Sequence, residues 1–220
     1  MRNILLALFF FTLLLPGCGA GVRNVPYIRP LPKVSEVPFT GRADPILRLE
    51  AVARYGENTI SHYGSAFVTK YKGKTIIVTA LHVVSGGEVF KFYTEDRKYV
   101  EVTYSRVIGL PPLDSAVFFV KSISADIKPL QAAKMYLGDD CKTIGFSDNK
   151  EKEVNVGKVL SKATSTTADV NCGMSGGPVI TRGNVVGIIS SKVIRSHDET
   201  KSLVASLFDV FDVLDRERTK

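Results

Sequence analysis

Regularly spaced apolar runs constrain the fold of this chain more than any other feature. Each run holds five to ten residues rich in Val, Ile, Thr, Phe and Tyr, and Gly, Asp, Asn or Lys separates it from the next. Runs at this hairpin spacing favour an antiparallel barrel or sandwich over alternating βαβ units. We therefore predict an all-β fold. The predicted strands are Ile46–Tyr55, Ser65–Tyr71, Thr75–Ala80, Val89–Tyr93, Val100–Ile108, Ala116–Lys121, Lys142–Phe146, Glu153–Lys162, Gly177–Thr181 and Asn184–Ser191.

The C-terminal segment Ser202–Asp215 has a different period. Its acids and bases alternate with apolar residues that recur at helical intervals, at Leu203, Leu207, Val210, Phe211 and Leu214. Such spacing gives a helix one apolar face. We predict a closing amphipathic helix over this segment, and two less clear strands near Ile127–Tyr136 and Leu203.

The N-terminus has the pattern of an export signal. Arg2 precedes an unbroken apolar stretch over residues 4–15, which is too short to span a bilayer as a helix. The string Leu-Pro-Gly-Cys at residues 15–18 resembles the lipobox of bacterial lipoproteins, in which the cysteine, here Cys18, becomes the acylated first residue. Pro16 departs from the commonest lipobox residue at its position. The alternative, a buried N-terminal helix, is disfavoured because the stretch has no polar face.

These features divide the chain into three predicted parts. Residues 1–17 form the signal peptide, residues 18–45 form an extended tether with five prolines, and residues 46–220 form the β domain. The two halves of that domain are expected to meet near residues 121–130. This organisation predicts an exported protein, anchored to a membrane through lipid on Cys18 and facing the periplasm or the cell surface.

Charge and composition indicate no further partner. The net charge is +7, but Lys and Arg are spread along the chain without a basic run, so we assign them to a solvated surface and predict no nucleic-acid partner. The three scattered histidines predict no metal site, and two of them, His62 and His197, lie in polar stretches that look like exposed loops. Lipidation of Cys18 leaves Cys141 and Cys172, either bridged or as buried thiols.

One serine lies in a setting suited to acyl transfer, which requires a base beside the hydroxyl, a carboxylate that orients the base, and N–H donors for the oxyanion. Ser175 lies within Cys-Gly-Met-Ser-Gly-Gly-Pro-Val at residues 172–179, where glycines permit a tight turn and a close approach to a carbonyl group. The backbone amides of Gly173 and Ser175 are the natural oxyanion donors. Alone, however, a Gly-Ser-Gly-Gly string is usually a turn.

A base and a carboxylate are also present. His82 follows the apolar strand that begins at Ile76, and Asp114 follows two prolines and precedes a second apolar strand. A histidine in such a place is more often structural, and an aspartate there commonly caps a strand. Because an unpaired buried carboxylate is costly, we expect Asp114 to be either exposed or paired.

The three strings together resemble the chymotrypsin-like serine peptidases. Thr79–His82 is similar to their Thr-Ala-x-His segment, Asp114–Val117 to Asp-x-Ala, and Gly173–Pro178 to Gly-x-Ser-Gly-Gly-Pro. The order His, Asp, Ser and the intervals of 32 and 61 residues also agree with that family. The resemblance covers residues 46–215. It implies two six-stranded antiparallel β-barrels, with the site in the cleft between them and a C-terminal helix packed outside.

The resemblance also implies roles for individual residues. His82 would act as general base and then general acid, Asp114 would orient its Nδ1–H group, and Ser175 would attack the substrate. Ser190 stands where a serine commonly bonds the triad acid. By position, the substrate pocket would be lined by Asp169, Ser190, Ser191 and Lys192.

Three residues bear on how this chain differs from the digestive enzymes. Met174 replaces the acid that pairs with a freed N-terminus during zymogen activation, so we expect no activation of that kind. Lys192 departs from the usual small residue, which would narrow the pocket or favour an acidic substrate group. Cys172 lies three residues before Ser175 but outside the nucleophile position, so we interpret it as a packing, pocket-wall or bridging residue.

The sequence thus predicts a serine endopeptidase of the bacterial envelope that needs no cofactor and acts on protein or peptide substrates. One alternative is a catalytically silent lipoprotein of the same fold that serves as a binding or scaffold module. Another is an exported β-barrel adhesin in which the three strings coincide by chance.

Overall fold

The computed structural model describes residues 44–56, 58–124, 126–148, 151–161, 165–194 and 200–218. The predicted signal peptide, Cys18, most of the tether and His197 lie outside these residues, so the predictions for them are untested. No helix within the described ranges has the length and apolar character needed to cross a membrane.

Most of the described residues lie in strands. The strands are β1 Ile46–Tyr55, β2 Asn58–Tyr71, β3 Lys74–Ala80, β4 Val89–Tyr93, β5 Tyr99–Val100, β6 Val102–Leu110, β7 Ser115–Ile123, β8 Asp140–Phe146, β9 Lys152–Ser161, β10 Ser165–Thr166, β11 Pro178–Thr181, β12 Asn184–Ile194 and β13 Thr200–Ser206. The helices are α1 Leu81–Val84 and α2 Leu207–Arg218, and Pro111–Leu113 forms one 3₁₀ turn.

These strands form two antiparallel sheets. The first has seven strands in the order β5-β4-β1-β2-β3-β7-β6, and the second is a closed six-stranded barrel in the order β10-β13-β12-β11-β8-β9. The predicted chymotrypsin-like, all-β architecture is therefore confirmed. The extra strand arises because the run predicted as Val100–Ile108 divides at Glu101. Its first part pairs with β4 and its second with β7, at opposite edges of the sheet.

Alternating side chains divide the interior into three cores. A first core belongs to the seven-stranded sheet and includes Leu47, Leu49, Val68, Ile77, Phe92 and Phe118. A middle core joins that sheet to the barrel and to α2, and includes Phe67, Ile76, Val78, Phe119, Val185, Ile188, Leu207, Val210 and Leu214. A second core fills the barrel and includes Cys141, Val159, Val170, Met174, Val179, Val186, Ile189 and Val204. Strand β3 is thus buried on both faces, which explains its continuous apolar sequence.

The C-terminal prediction needs a correction at its start. Ser202–Ser206 continues β13, and the helix begins only at Leu207. Strand β13 pairs with both β12 and β10, so the ladder hydrogen bonds that close the barrel outweigh the helical period at Leu203. The weaker strand predicted near Leu203 is correct.

The segment between the two sheets forms no named strand. The Leu130 N–H donates to Val68 in the first sheet, at 2.9 Å, and the Ala133 N–H donates to Val185 in the barrel, also at 2.9 Å. The strand predicted near Ile127–Tyr136 is therefore reduced to isolated bridges at Leu130 and Ala132.

His62, expected in a loop, lies half-buried in β2 opposite Ala51.

Lys152 joins three parts of the chain. Its ammonium group bonds to Asp44, which precedes β1, and lies 3.1 Å from Glu95, which follows β4. The Lys152 side chain is 17% exposed. Burial lowers the pKa of Lys152, but the hydrogen bonds to Asp44 and Glu95 outweigh this effect and raise it above its ordinary 10.5.

Replacing Lys152 with methionine is expected to lower the free energy of unfolding by about 1 kcal/mol at pH 7. Because the folded-state pKa is raised, this contribution is fully present below pH 10.5 and is lost as the pH rises through the folded value. Urea unfolding of both proteins from pH 7 to 12 measures it. Lys158→Met, which breaks an exposed pair with Asp140, is the control and should leave stability unchanged. A difference for Lys152→Met that persists at pH 12 would contradict this account.

Candidate active site

His82 lies at the point where a buried strand ends. Strand β3 stops at Ala80, and the single helical turn Leu81–Val84 carries His82 out of the sheet while Val83 and Val84 stay buried. The Leu81 N–H donates to the Asp114 carbonyl at 2.9 Å, which fixes this turn against the start of β7. The imidazole is consequently half-exposed, with a 48% exposed side chain, and reaches solvent.

Asp114 takes an uncommon backbone conformation. It ends the 3₁₀ turn Pro111–Leu113 in the left-handed region, with φ +44°, and its N–H donates to Pro111 at 3.1 Å. This turn directs the carboxylate at His82. Oδ1 accepts the His82 backbone N–H at 3.0 Å, and Oδ2 lies 2.7 Å from His82 Nδ1. The prediction that Asp114 is exposed or paired therefore holds, and it is paired.

Ser190 completes the surroundings of the carboxylate. Its hydroxyl donates to Asp114 Oδ2 at 2.6 Å from strand β12. Burial raises the pKa of Asp114, but the hydrogen bonds from His82 and Ser190 outweigh burial and hold the pKa below its ordinary 3.8. Asp114 is thus ionised at neutral pH, as a group that orients an imidazole must be.

Ser175 lies between two glycines with positive φ. Gly173 has φ +89° and Gly176 has φ +87°, a region that glycine enters at little cost. A Cβ atom on Gly176 would collide with the Ser65 carbonyl oxygen and the Thr79 hydroxyl, so the loop lies directly against β2 and β3. The Ser175 hydroxyl donates to the Ser190 carbonyl at 3.1 Å. No hydrogen bond joins Ser175 to His82 among the described residues.

The backbone amides of Gly173 and Ser175 differ from the neighbouring amides in their hydrogen bonding. In the part of the chain that the structure describes, neither the Gly173 N–H nor the Ser175 N–H donates to a backbone carbonyl. Neighbouring amides in the same loop do so: the Met174 N–H bonds to Asn171 and the Gly176 N–H to Ile189. The two donors expected for an oxyanion are therefore available.

The predicted pocket residues are in different environments. Ser191 is half-buried on β12 opposite Leu203, and Lys192 follows it opposite Ser202. Asp169 is exposed, and its Oδ1 accepts the N–H of the next residue, Val170, at 2.9 Å. The Asp169 backbone carbonyl accepts the Thr143 hydroxyl. The structure thus brings Ser190 to Asp114, and it leaves the Asp169 side chain exposed.

Residues 64–188, more than half of the chain, match the family described as the trypsin-like peptidase domain. The chain belongs to this family. A solved structure of the Rv3671c protease in its inactive form is similar to this trypsin-like peptidase, with a TM-score of 0.60 and 21% sequence identity. The match covers 78% of this chain and 88% of that one, and it supports the shared fold. No curated protein matches the chain significantly.

The sequence did not single out one buried serine of this trypsin-like peptidase that contacts the candidate site. Ser65, on β2, is fully buried and bonds to both Gly173 and Ser175. Its sequence signal is the small-residue string Gly64-Ser65-Ala66, which comes directly before the apolar pair Phe67-Val68 in β2. A short polar residue in such a place indicates close packing against another backbone.

Cys141 of this trypsin-like peptidase is not paired with Cys172. It is a free, buried thiol inside the barrel. Of the two alternatives left open by the sequence, a Cys141–Cys172 bridge is therefore not formed. Burial raises the pKa of the Cys141 thiol.

Cys141 is expected to resist alkylation in the native protein. It is 3% exposed, and its raised pKa keeps it in the unreactive thiol form. At pH 8 we expect iodoacetamide to modify it on the order of 100-fold more slowly than in urea. Mass spectrometry of the peptide that contains Cys141 measures both rates. Equal rates in the two conditions would show that the barrel is open at β8.

Proposed function

We propose that this trypsin-like peptidase is a serine endopeptidase in which Ser175 is the nucleophile, His82 the general base and Asp114 the group that orients His82. One observation carries the proposal. Ser190 donates its hydroxyl to Asp114 and accepts the Ser175 hydroxyl on its carbonyl, so one residue of β12 connects the acid to the nucleophile. His82, the proposed base, is connected to these two residues through its Nδ1, which lies 2.7 Å from Asp114 Oδ2.

The first chemical step needs one side-chain rotation. The Ser175 hydroxyl turns from the Ser190 carbonyl towards His82 Nε2, which takes its proton while Oγ attacks the carbonyl carbon of the scissile peptide bond. The carbonyl oxygen gains the negative charge and accepts hydrogen bonds from the N–H groups of Gly173 and Ser175. His82 then gives its proton to the leaving amine, the C–N bond breaks, and an acyl ester remains on Ser175.

Hydrolysis of the acyl ester repeats the step with water. His82 removes a proton from water, the hydroxide attacks the ester carbon, and the proton returns to Ser175 Oγ as the acid product leaves. The ionised Asp114 stabilises the imidazolium ion that forms in each half-reaction. Its lowered pKa suits this role because the carboxylate stays charged throughout the neutral range.

The environment of Asp169 supports a pocket that does not select basic residues through this acid. Its carboxylate is exposed and bonds to its own backbone neighbour. We propose protein or peptide substrates without a preference for Arg or Lys, and Ser191 and Lys192 as pocket residues on β12. A peptide-library digest by wild type and Asp169→Asn tests this proposal, since equal preferences support it and a lost basic preference contradicts it.

We also propose that the enzyme acts in the bacterial envelope, held there by a lipid on Cys18. The support is the sequence pattern at residues 15–18. Incorporation of labelled palmitate into wild type, and its loss in Cys18→Ser, tests the anchor. Label that persists in Cys18→Ser would place the lipid on another residue. Absence of label in wild type would exclude the anchor.

One observation favours a second function, a catalytically silent binding or scaffold protein. The Ser175 hydroxyl bonds to the Ser190 carbonyl and not to His82. The two functions differ in reactivity, because only a Ser–His pair that forms in solution activates the serine.

Labelling with a fluorophosphonate probe distinguishes them. The folded protein is treated with the probe, digested and mapped by mass spectrometry. An adduct on the peptide that contains Ser175, with labelling that fails when His82 is changed to Gln, supports the serine peptidase. Absence of any adduct on the folded wild type supports the silent protein, and an adduct on a different serine contradicts the proposed nucleophile.

A further inference from the structure

Among the described residues, the hydrogen bonds that join the loop around Ser175 to the first sheet come from Ser65. Ser65 lies on β2, opposite Arg48 of β1, and none of it is exposed to solvent. Its backbone N–H donates to the Ser175 carbonyl at 2.8 Å, and its hydroxyl donates to the Gly173 carbonyl at 2.9 Å. Both carbonyls belong to the two residues whose amides form the proposed oxyanion hole.

The Ser65 hydroxyl has a second partner in the barrel. Its oxygen accepts the Phe146 N–H at 2.8 Å, at the end of β8. One hydroxyl thus accepts from one buried backbone group and donates to another, and the two hydrogen bonds polarise each other in the same direction. A Cβ atom on Gly145 would lie 2.9 Å from the Ser65 hydroxyl, so a glycine at this position lets β8 approach it.

The Gly173 peptide needs such an attachment because glycine restricts its own rotation poorly. At φ +89° Gly173 could turn its peptide group to several other conformations at little cost. Rotation about Gly173 or Ser175 would turn the oxyanion donors away from the substrate. The Ser65 hydroxyl holds the Gly173 carbonyl, and the Ser65 N–H holds the Ser175 carbonyl. Each carbonyl belongs to the same residue as one of the donor N–H groups, so Ser65 limits rotation at both residues.

The residue between the two donors is attached within the loop and the barrel and makes no hydrogen bond to the first sheet among the described residues. Met174 is fully buried and packs in the second core, where its sulfur accepts the Asn171 N–H at 3.3 Å. It holds the loop by apolar packing, which constrains position more than the direction of a peptide group. The direction of the Gly173–Met174 peptide is set by hydrogen bonds at both ends: its carbonyl accepts the Ser65 hydroxyl, and its N–H donates to the Asn171 carbonyl at 3.1 Å.

We propose that Ser65 is a positioning residue that holds the oxyanion hole in its active geometry through its hydroxyl. The inference rests on the proposed serine mechanism, because it concerns the two amides that would bind the oxyanion. Ser65 touches no reacting atom, and it acts through Gly173 and Ser175.

A matched pair of variants isolates the hydroxyl. Ser65→Thr and Ser65→Val add nearly the same volume to the buried site, but only threonine keeps a hydroxyl. We expect the labelling rate constant kinact for a fluorophosphonate to fall about 10- to 100-fold in Ser65→Val and to stay within about threefold of wild type in Ser65→Thr. The apparent affinity KI for the probe and the pH midpoint of labelling should be unchanged in both, because the pocket and the His82–Asp114 pair are intact.

Thr69→Val controls for lost stability. Thr69 lies four residues further along β2, is also fully buried, and donates its hydroxyl to the Leu130 carbonyl at 2.7 Å, away from the nucleophile loop. This variant should lose similar thermal stability and keep the wild-type kinact.

The outcomes separate this inference from the proposed function. If wild type is labelled on Ser175 but Ser65→Val and Ser65→Thr have equal kinact, the positioning role is wrong and the serine mechanism stands. If Ser65→Val does not fold, Ser65→Ala, which adds no volume, replaces it in the same comparison with Ser65→Thr. If wild type itself is not labelled, the proposed function fails.

Discussion

Replacing Ser175 with alanine is expected to lower kcat by about 10⁶-fold while changing KM little. The hydroxyl is the only group of the site that would form a covalent bond to the substrate, and its removal leaves the Gly173 amide and the His82–Asp114 pair in place. Hydrolysis of a peptide chosen from a library digest measures the loss. The small Cβ group of alanine replaces the serine side chain without steric conflict, so thermal stability should change by less than about 1 kcal/mol.

Ser191→Ala is the matched control for this variant. Ser191 is half-buried on β12, one residue beyond the carbonyl that holds the Ser175 hydroxyl. Its loss should alter substrate preference and leave fluorophosphonate labelling intact. Labelling that persists at the wild-type rate in Ser175→Ala would show that a different residue is the nucleophile.

Replacing Asp114 with asparagine is expected to lower kcat by about 10⁴-fold at neutral pH. The amide has nearly the shape of the carboxylate, but it places an NH₂ group or a neutral oxygen against His82 Nδ1. The wrong imidazole tautomer is then favoured, and the imidazolium ion loses its counter-charge. Because the base is still present, a partial recovery of activity above pH 9 would agree with this account.

The same variant reports on the stability of the site. Since hydrogen bonds from His82 and Ser190 lower the pKa of Asp114 in the folded protein, its stabilising contribution is fully present above pH 3.8. It is lost as the pH falls through the lower folded value. The difference in unfolding free energy between wild type and Asp114→Asn should therefore be constant from pH 7 to about pH 5 and shrink only below pH 3.8.

Asp140→Asn serves as the comparison for both effects. Asp140 is exposed at the start of β8 and pairs with Lys158 at 2.6 Å, and this pair also lowers its pKa. Its replacement should leave kcat unchanged and stability nearly so. An equal loss of activity in both variants would attribute the effect of Asp114→Asn to general electrostatics.

The alternation of apolar residues was sufficient to predict most of the fold. Short runs such as Val89–Tyr93 were located at their correct bounds, because a strand with both ends marked by polar turns leaves little freedom. The predicted strand Val100–Ile108 is divided at Glu101, because the residues before Glu101 pair with β4 and those after it pair with β7. A local sequence pattern does not show which strands will pair. The helix at Leu207 starts later than predicted because barrel closure, a long-range effect, decides the conformation of Ser202–Ser206.

The candidate site was predictable to the extent that it is local. His82 and Asp114 follow or precede apolar strands, and strand ends bring side chains to a sheet edge, so their contact agrees with the pattern. The bond between the Ser175 hydroxyl and the Ser190 carbonyl depends on a side-chain rotation that no spacing encodes. Ser65 was missed for a similar reason, since its partners lie 81 to 110 positions away in sequence: Phe146, Gly173 and Ser175.

The middle core has a consequence for how the molecule folds and fails. Its side chains come from the seven-stranded sheet, from the barrel and from α2, so neither half can bury this part of its apolar surface without the other. His82 and Asp114 come from one half and Ser175 from the other. The proposed reacting groups therefore come together only when both halves are folded and packed. A cleavage or truncation that releases α2 is expected to abolish the proposed activity before either sheet unfolds.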